Sequence, residues 1–178
     1  RFSGPQDTRT PAALDDLGIP HVGIRPDRIS DALDAIRLLG DATGRAAAAD
    51  SLVRGIQAGL DSVRAAAAGQ PRVRVAYVLG GDPPWVAGPG TYIQELLELA
   101  GGENAFSDLG SLYAAVSVEE FLARDIELVL TPDAGRLASR IVARARVVEV
   151  GDALEFPGPG VVEAARAVAG LLRGGGGR

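Results

Sequence analysis

The chain has 178 residues, 47% apolar and 23% charged, enough for one domain of good size or two small lobes with a real core. A net charge of −5 argues against a nucleic-acid partner, because neutralising phosphates takes clustered cations. No apolar run approaches the ~20 residues of a membrane-spanning helix, and with no cysteine there are neither disulfides nor thiolate metal sites.

In chain order, Arg1 to Pro11 is polar and reads as a loop. Pro11 to Leu17 predicts a short helix stopped by Gly18, and His21 to Ile24 a short strand closed by Pro26. Ser30 is the expected N-cap of a second helix, with Leu33, Ile36, Leu38 and Leu39 as its stripe. Thr43-Gly44 interrupts it. The longest element runs from Arg45 to about Ala68, with Leu52, Val53, Ile56, Leu60 and Val63 at helical spacing. Such a helix spans roughly 35 Å, about a domain's diameter, and its heptads are not sustained enough for a coiled coil. Gly55 and Gly59 are its weak points in propensity, unless they serve close packing.

Beyond Gly69-Gln70-Pro71 the pattern alternates. A buried strand is expected at Val73–Leu79, then helices at Thr91–Ala100 and Ser117–Ala123, a strand at Glu127–Leu130, a helix at Gly135–Ala143, a strand at Val147–Val150 and a helix at Gly160–Leu172. Strands separated by helices imply a parallel sheet built by right-handed crossovers. Gly174–Gly177 reads as a flexible tail.

The stretch Val73 to Asp108, VRVAYVLGGDPPWVAGPGTYIQELLELAGGENAFSD, carries the most information. Its strand stops at Gly80-Gly81-Asp82-Pro83-Pro84, and the only tryptophan, Trp85, follows on that loop. In an open parallel sheet, ligands sit at the carboxyl ends of the strands, so an aromatic displayed there is a contact candidate. The competing reading is a ring folded back over its own core. Three strand ends, at Gly80–Trp85, Thr131-Pro132-Asp133 and Gly151–Pro159, should converge on one surface offering Trp85, Tyr113, Glu155 and Phe156. Flat aromatics with few ionisable groups suit a large planar or macrocyclic ligand.

Catalysis and metals find no support. The serines lack a GxSxG elbow and a histidine partner, and GGDPPW lacks both the GK[ST] of a P-loop and the GxGxxG of a dinucleotide site. His21, the sole histidine, reads as a packed or partly exposed side chain. Asp15-Asp16 and Glu119-Glu120 are adjacent in sequence and point to different helix faces. On residues alone, Glu119 reads as an ordinary acid in the first turn of a helix capped by Ser117, with Glu120 at the capping-box position.

GGDPPW, GPGTYIQELLELAGGENAF, then Tyr113-Ala114-Ala115-Val116-Ser117-Val118-Glu119-Glu120, then a strand ending Leu130-Thr131-Pro132-Asp133, resembles the helical-backbone (class III) ABC-transporter substrate-binding proteins, which carry vitamin B12, ferric siderophores or haem. The likeness is greatest to the vitamin B12-binding branch and runs from about Thr8 to Leu172. It implies an α/β fold with a three-layer parallel-sheet lobe, joined by a long rigid helix to the remnant of a second α/β lobe. The domains expected are 1–44 (lobe remnant), 45–70 (backbone helix), 71–173 (ligand-binding lobe) and 174–178 (tail). Family members begin with a signal sequence and about half of a first lobe before the point matching Arg1, so the chain is expected to be a fragment.

The resemblance also implies a function. The expected role is that of a binding component, not an enzyme, holding a corrinoid without a cofactor or metal of its own. A ferric siderophore or haem is the alternative, and an α/β enzyme domain using the same loop edge the rival class. Asp82, Pro84, Trp85, Tyr113, Glu155 and Phe156 are the implied ligand contacts. Glu119 matches a rim glutamate that pairs with arginines of the permease, its partner in the cytoplasmic membrane. The location implied is periplasmic, or extracytoplasmic and membrane-anchored. Relatives often read Ser-Pro-Arg where this chain has Gly158-Pro159-Gly160, so that loop brings no arginine for an anionic siderophore.

Overall fold

The computed structural model of the protein describes residues 9–24, 26–151 and 154–174. The first eight residues of the expected N-terminal loop, Asp152 and Ala153, and the tail beyond Gly174 lie outside them. Helix α1 (Arg9–Asp16) starts two residues before the expected position. Pro11 falls in its first turn, where no intrahelical N–H bond is required of it. Gly18, at φ +65°, ends the turn that follows.

His21 to Ile24 is not a strand, against expectation. A strand needs a partner, and among the described residues none pairs with this segment, which has no regular structure and leaves Val22 62% exposed. Helix α2 (Ile29–Ala42) is capped otherwise than expected. It starts before Ser30 because the Asp31 carboxylate accepts from the N–H groups of Asp27 and Arg28 at 3.1 and 2.9 Å. Glu95, 66 residues away, accepts from the N–H of Ile29 at 2.8 Å. Two carboxylates thus take up the orphan donors of this helix end.

Helix α3 (Ala46–Ala67) is the long element foreseen. Ala49, Val53, Ile56, Leu60 and Val63, spaced by four and three, are its buried stripe, while Leu52 lies off it and is 44% exposed. Each buried Val, Ile or Leu contributes about 1.5–3 kcal/mol. Gly59 meets Val162 so closely that a Cβ there would stand 2.7 Å from its Cγ1.

Four strands lie parallel in the order β3 (Gly102–Asn104), β1 (Val73–Gly80), β5 (Leu128–Thr131) and β6 (Arg146–Glu149). Alternation along β1 and β5 divides the core. Val75, Tyr77, Leu128 and Leu130 pack with α3, helix α4 (Tyr92–Leu99) and helix α7 (Val161–Arg173). Ala76, Val78 and Val129 pack with Phe106, with Phe121 of helix α5 (Val118–Ala123) and with Ile141 of helix α6 (Ser139–Val142). A sheet covered on both faces explains why β1 reads as one apolar run. From β1 the chain crosses to β3 on one side, then returns past β1 to β5 and on to β6 on the other. The strand order therefore reverses between β1 and β5.

Two short strands join the sheet antiparallel. β2 (Trp85–Ala87) pairs with the end of β1, and β4 (Tyr113–Ala115) pairs with β2. Trp85 and Tyr113 thus stand on strands, not on the loops expected. The predicted helix over Gly135–Ala143 is broken: the Asp133 carboxylate accepts from the N–H of Gly135 at 2.8 Å and sets a 3-10 turn (Ala134–Arg136) before α6. Gly101-Gly102-Glu103-Asn104 proves architectural. A Cβ on Gly102 would meet Val75 and the Leu97 carbonyl, and the buried Asn104 amide donates to Ala87 O and accepts from the N–H of Phe106, both at 3.1 Å.

Candidate ligand-binding site

The reversal of strand order between β1 and β5 leaves a crevice at their carboxyl ends, the usual ligand position in such sheets. β1 ends at Gly80 (φ +117°), followed by Gly81 (φ +96°), conformations open to glycine. The N–H of Gly81 donates to the carbonyl of Arg136 at 3.3 Å, fastening this turn to the segment after β5. Asp82 is exposed on the turn and precedes a cis proline. Pro84, expected among the contact residues, is buried; its carbonyl accepts from the N–H of Val116 at 3.0 Å, so it shapes the loop and its ring is covered.

The β2–β4 ribbon sets the aromatics. Trp85 pairs with Ala115 and Ala87 with Tyr113. Side chains alternate along a strand, so Trp85 and Tyr113 project from one face as diagonal neighbours, about 7–8 Å apart. Val86 faces the other way, into the core. Trp85 is 46% exposed and Tyr113 37%, so the indole does not lie folded over its own core.

Glu155 faces this ribbon. Its carboxylate accepts from the hydroxyl of buried Tyr77 at 3.1 Å, which ties the loop after β6 back to β1. Burial, then the charges of Asp27 and Glu155, raise the Tyr113 pKa, so the phenol keeps its proton at neutral pH and can donate. Phe156 stands beside Glu155, 62% exposed. Trp85, Tyr113, Glu155 and exposed Phe156 thus sit on the carboxyl-edge segments.

Glu119 belongs to a different surface. It occupies the first turn of α5, whose N-cap Ser117 accepts from the N–H of Glu120 at 3.0 Å. Its carboxylate accepts from Arg140 of α6 at 2.7 Å, and that bond, chiefly, lowers its pKa.

Sequence reasoning passed over three residues here. Tyr77 read as one more apolar strand residue, although a buried tyrosine needs a partner for its hydroxyl. Asp27, whose charge reaches Tyr113, lies far off in sequence. Arg136 had a signal: it is the only basic residue in segments 80–91, 105–117, 132–138 and 150–160. Cavity size is no guide to the site: a depression of about 650 Å³ lies at the opposite end of the sheet, between Gln70, Arg72, Gly101, Glu127, Arg146 and Arg173. Among the described residues no cluster of three or more His, Asp or Glu side chains is placed to hold a metal.

The model of the periplasmic binding protein family matches residues 2–145. The chain belongs to that family. In structure this periplasmic binding protein is similar to the periplasmic vitamin B12 binding protein BtuF of Vibrio cholerae, with TM-score 0.74, 20% identity, and 96% of this chain and 71% of that one covered. It is similar to the periplasmic heme-binding protein RhuT from Roseiflexus sp. RS-1, with TM-score 0.77, 20% identity, and coverage of 94% and 72%. It is also similar to S. aureus IsdE complexed with heme, with TM-score 0.68, 20% identity, and coverage of 89% and 70%. At these identities the fold is what is shared. The parallel-sheet α/β fold and the helical-backbone family resemblance read from the sequence both hold.

Proposed function

We propose that this periplasmic binding protein is the substrate-binding component of an ABC importer, holding a corrinoid of the vitamin B12 kind and delivering it to a permease in the cytoplasmic membrane. Its role is binding without chemistry. The observation that carries the reading is the exposed pair Trp85 and Tyr113 on one face of the β2–β4 ribbon, at the carboxyl edge where the strand order reverses. An indole and a protonated phenol offer apolar area and a hydrogen bond to a broad macrocycle. Haem or a ferric siderophore is the alternative ligand on the same surface. In this reading residues 1–44 belong to a first lobe, 45–70 form the strut, 71–173 the ligand-binding lobe and 174–178 a tail. The protein works outside the cytoplasm, free or membrane-anchored, and Glu119 meets the permease.

The test is a thermal-shift and affinity measurement on the full-length protein with cyanocobalamin and with haemin, since a ligand bound only by the native state must raise its stability. Trp85→Ala should weaken the preferred ligand by roughly 1–3 kcal/mol, the range for losing a buried aromatic contact. Unchanged affinity with lowered stability would put Trp85 in the scaffold and sink the reading.

A further inference from the structure

We propose that Arg136 recognises an acidic substituent on the bound macrocycle, so that the ligand carries a phosphodiester or a carboxylate at its periphery; this rests on the binding reading above. Arg136 ends the 3-10 turn after β5, on the β5 side of the crevice where the strand order reverses. Its side chain lies over the last residue of β1. A Cβ built on Gly80 would stand 3.2 Å from Arg136 Cβ, 3.3 Å from Nε and 3.5 Å from Cζ, and Gly80 is the register partner of Trp85. The guanidinium is therefore laid across the tip of the strand that leads to the exposed indole.

The base of this side chain is fixed and its tip is free. The Arg136 carbonyl accepts from the N–H of Gly81, and the turn is pinned by Asp133 on Gly135 and by Glu149 on the N–H of Ala134 at 3.1 Å. Those bonds, with that of Glu155 to Tyr77, occupy three of the acids of this edge. Among the described residues no hydrogen bond or ion pair engages the guanidinium, and the residue is exposed. The other strand-end segments, 80–91, 105–117 and 150–160, carry no basic residue. A positioned guanidinium without an internal partner is a fork for an oxyanion, and two parallel N–H bonds to a phosphate or carboxylate add orientation as well as attraction.

Two ligand chemistries offer such an oxyanion, the nucleotide-loop phosphodiester of a corrinoid and the propionates of a porphyrin. Paired probes separate them: cyanocobalamin against dicyanocobinamide, which lacks the phosphodiester, and haemin against its dimethyl ester. Kd is measured for wild type, Arg136→Gln and Trp85→Ala, each confirmed folded by circular dichroism. Arg136→Gln should weaken the acidic member of one pair roughly tenfold or more while leaving its neutral counterpart unchanged. It should also flatten the salt dependence of the acidic ligand's Kd. The pair that responds names the ligand class. If Arg136→Gln binds like wild type while Trp85→Ala is weakened, or weakens acidic and neutral probes alike, this inference is wrong and the binding reading stands. Failure of the wild type to bind any of the four overturns both.

Discussion

Glu119 and Arg140 meet at 2.7 Å across two short helices, each side chain more than 60% exposed. The docking reading needs this carboxylate for a permease arginine, and the chain already supplies one. An exposed pair is held weakly, because both charges trade little hydration for each other and both side chains lose freedom. Exchange of Arg140 for a partner's arginine is thus nearly neutral, and the internal pair keeps Glu119 oriented until then. The Arg140 bond depresses the Glu119 pKa. The charged pair therefore exists above the ordinary glutamate range and is lost only as pH falls through the depressed value. NMR titration should find Glu119 below the ordinary range, and Arg140→Ala should return it upward; an unmoved midpoint would deny the pair in solution. Glu119→Arg should leave ligand Kd unchanged and impair transport, since a rim charge acts on association and register. Transport at the wild-type rate would reduce Glu119 to a helix-start acid.

At the scale of elements, what was legible follows from length. Helices α3, α4 and α7 and strand β1 carry enough residues for a period to declare itself, and each is found within about two residues of its expected bounds. Trp85–Ala87 and Tyr113–Ala115, at three residues each, carry no period, and their pairing is settled by the turn at Gly81–Pro84 and by Gly88, whose N–H bonds Leu112 O at 2.7 Å. The start of α2 falls before Ser30 because Asp31, an acid three residues into the helix, accepts from the N–H groups ahead of it, and Glu95 from another helix takes that of Ile29. The two glycines of α3 show how context splits one sequence signal. Gly55 has nothing within 4 Å of a built Cβ, so Gly55→Ala should stabilise by about 1 kcal/mol through helix propensity. Gly59→Ala gains the same propensity but drives a methyl to 2.7 and 2.9 Å from the two γ-carbons of Val162, an overpacking that costs roughly 1–3 kcal/mol. Urea denaturation should therefore show opposite signs for the two variants. Stabilisation by both would mean that α3 and α7 do not pack this closely.

For the whole molecule, motion on binding is the open quantity. Two lobes linked by loops can swing through a wide angle, whereas α3 is one unbroken run of 22 residues and bends only against its hydrogen-bond ladder. The structure adds a second fastening. α2 packs Leu33 into the same buried cluster as Ile56 and Leu60 of α3 and Leu96 of α4. The Glu95 carboxylate on α4 holds the N–H of Ile29 at 2.8 Å. Swinging α2 away from α3 and α4 would expose that apolar contact and leave a half-buried carboxylate and an amide without each other, a loss of about 1.5–3 kcal/mol for the charge-assisted bond alone. Rotation by more than a few degrees therefore has to occur in the segment before α2, not along the strut. Small-angle scattering and spin-label distances across the lobes, with and without ligand, should agree within a few ångströms. Glu95→Ala should loosen the apo protein, broadening its distance distribution while leaving the bound one narrow. A wide change in the wild type between labels on α2 and on α4, of the kind loop-hinged binding proteins undergo, would falsify the rigid strut and require a hinge inside α3 or between α2 and α3.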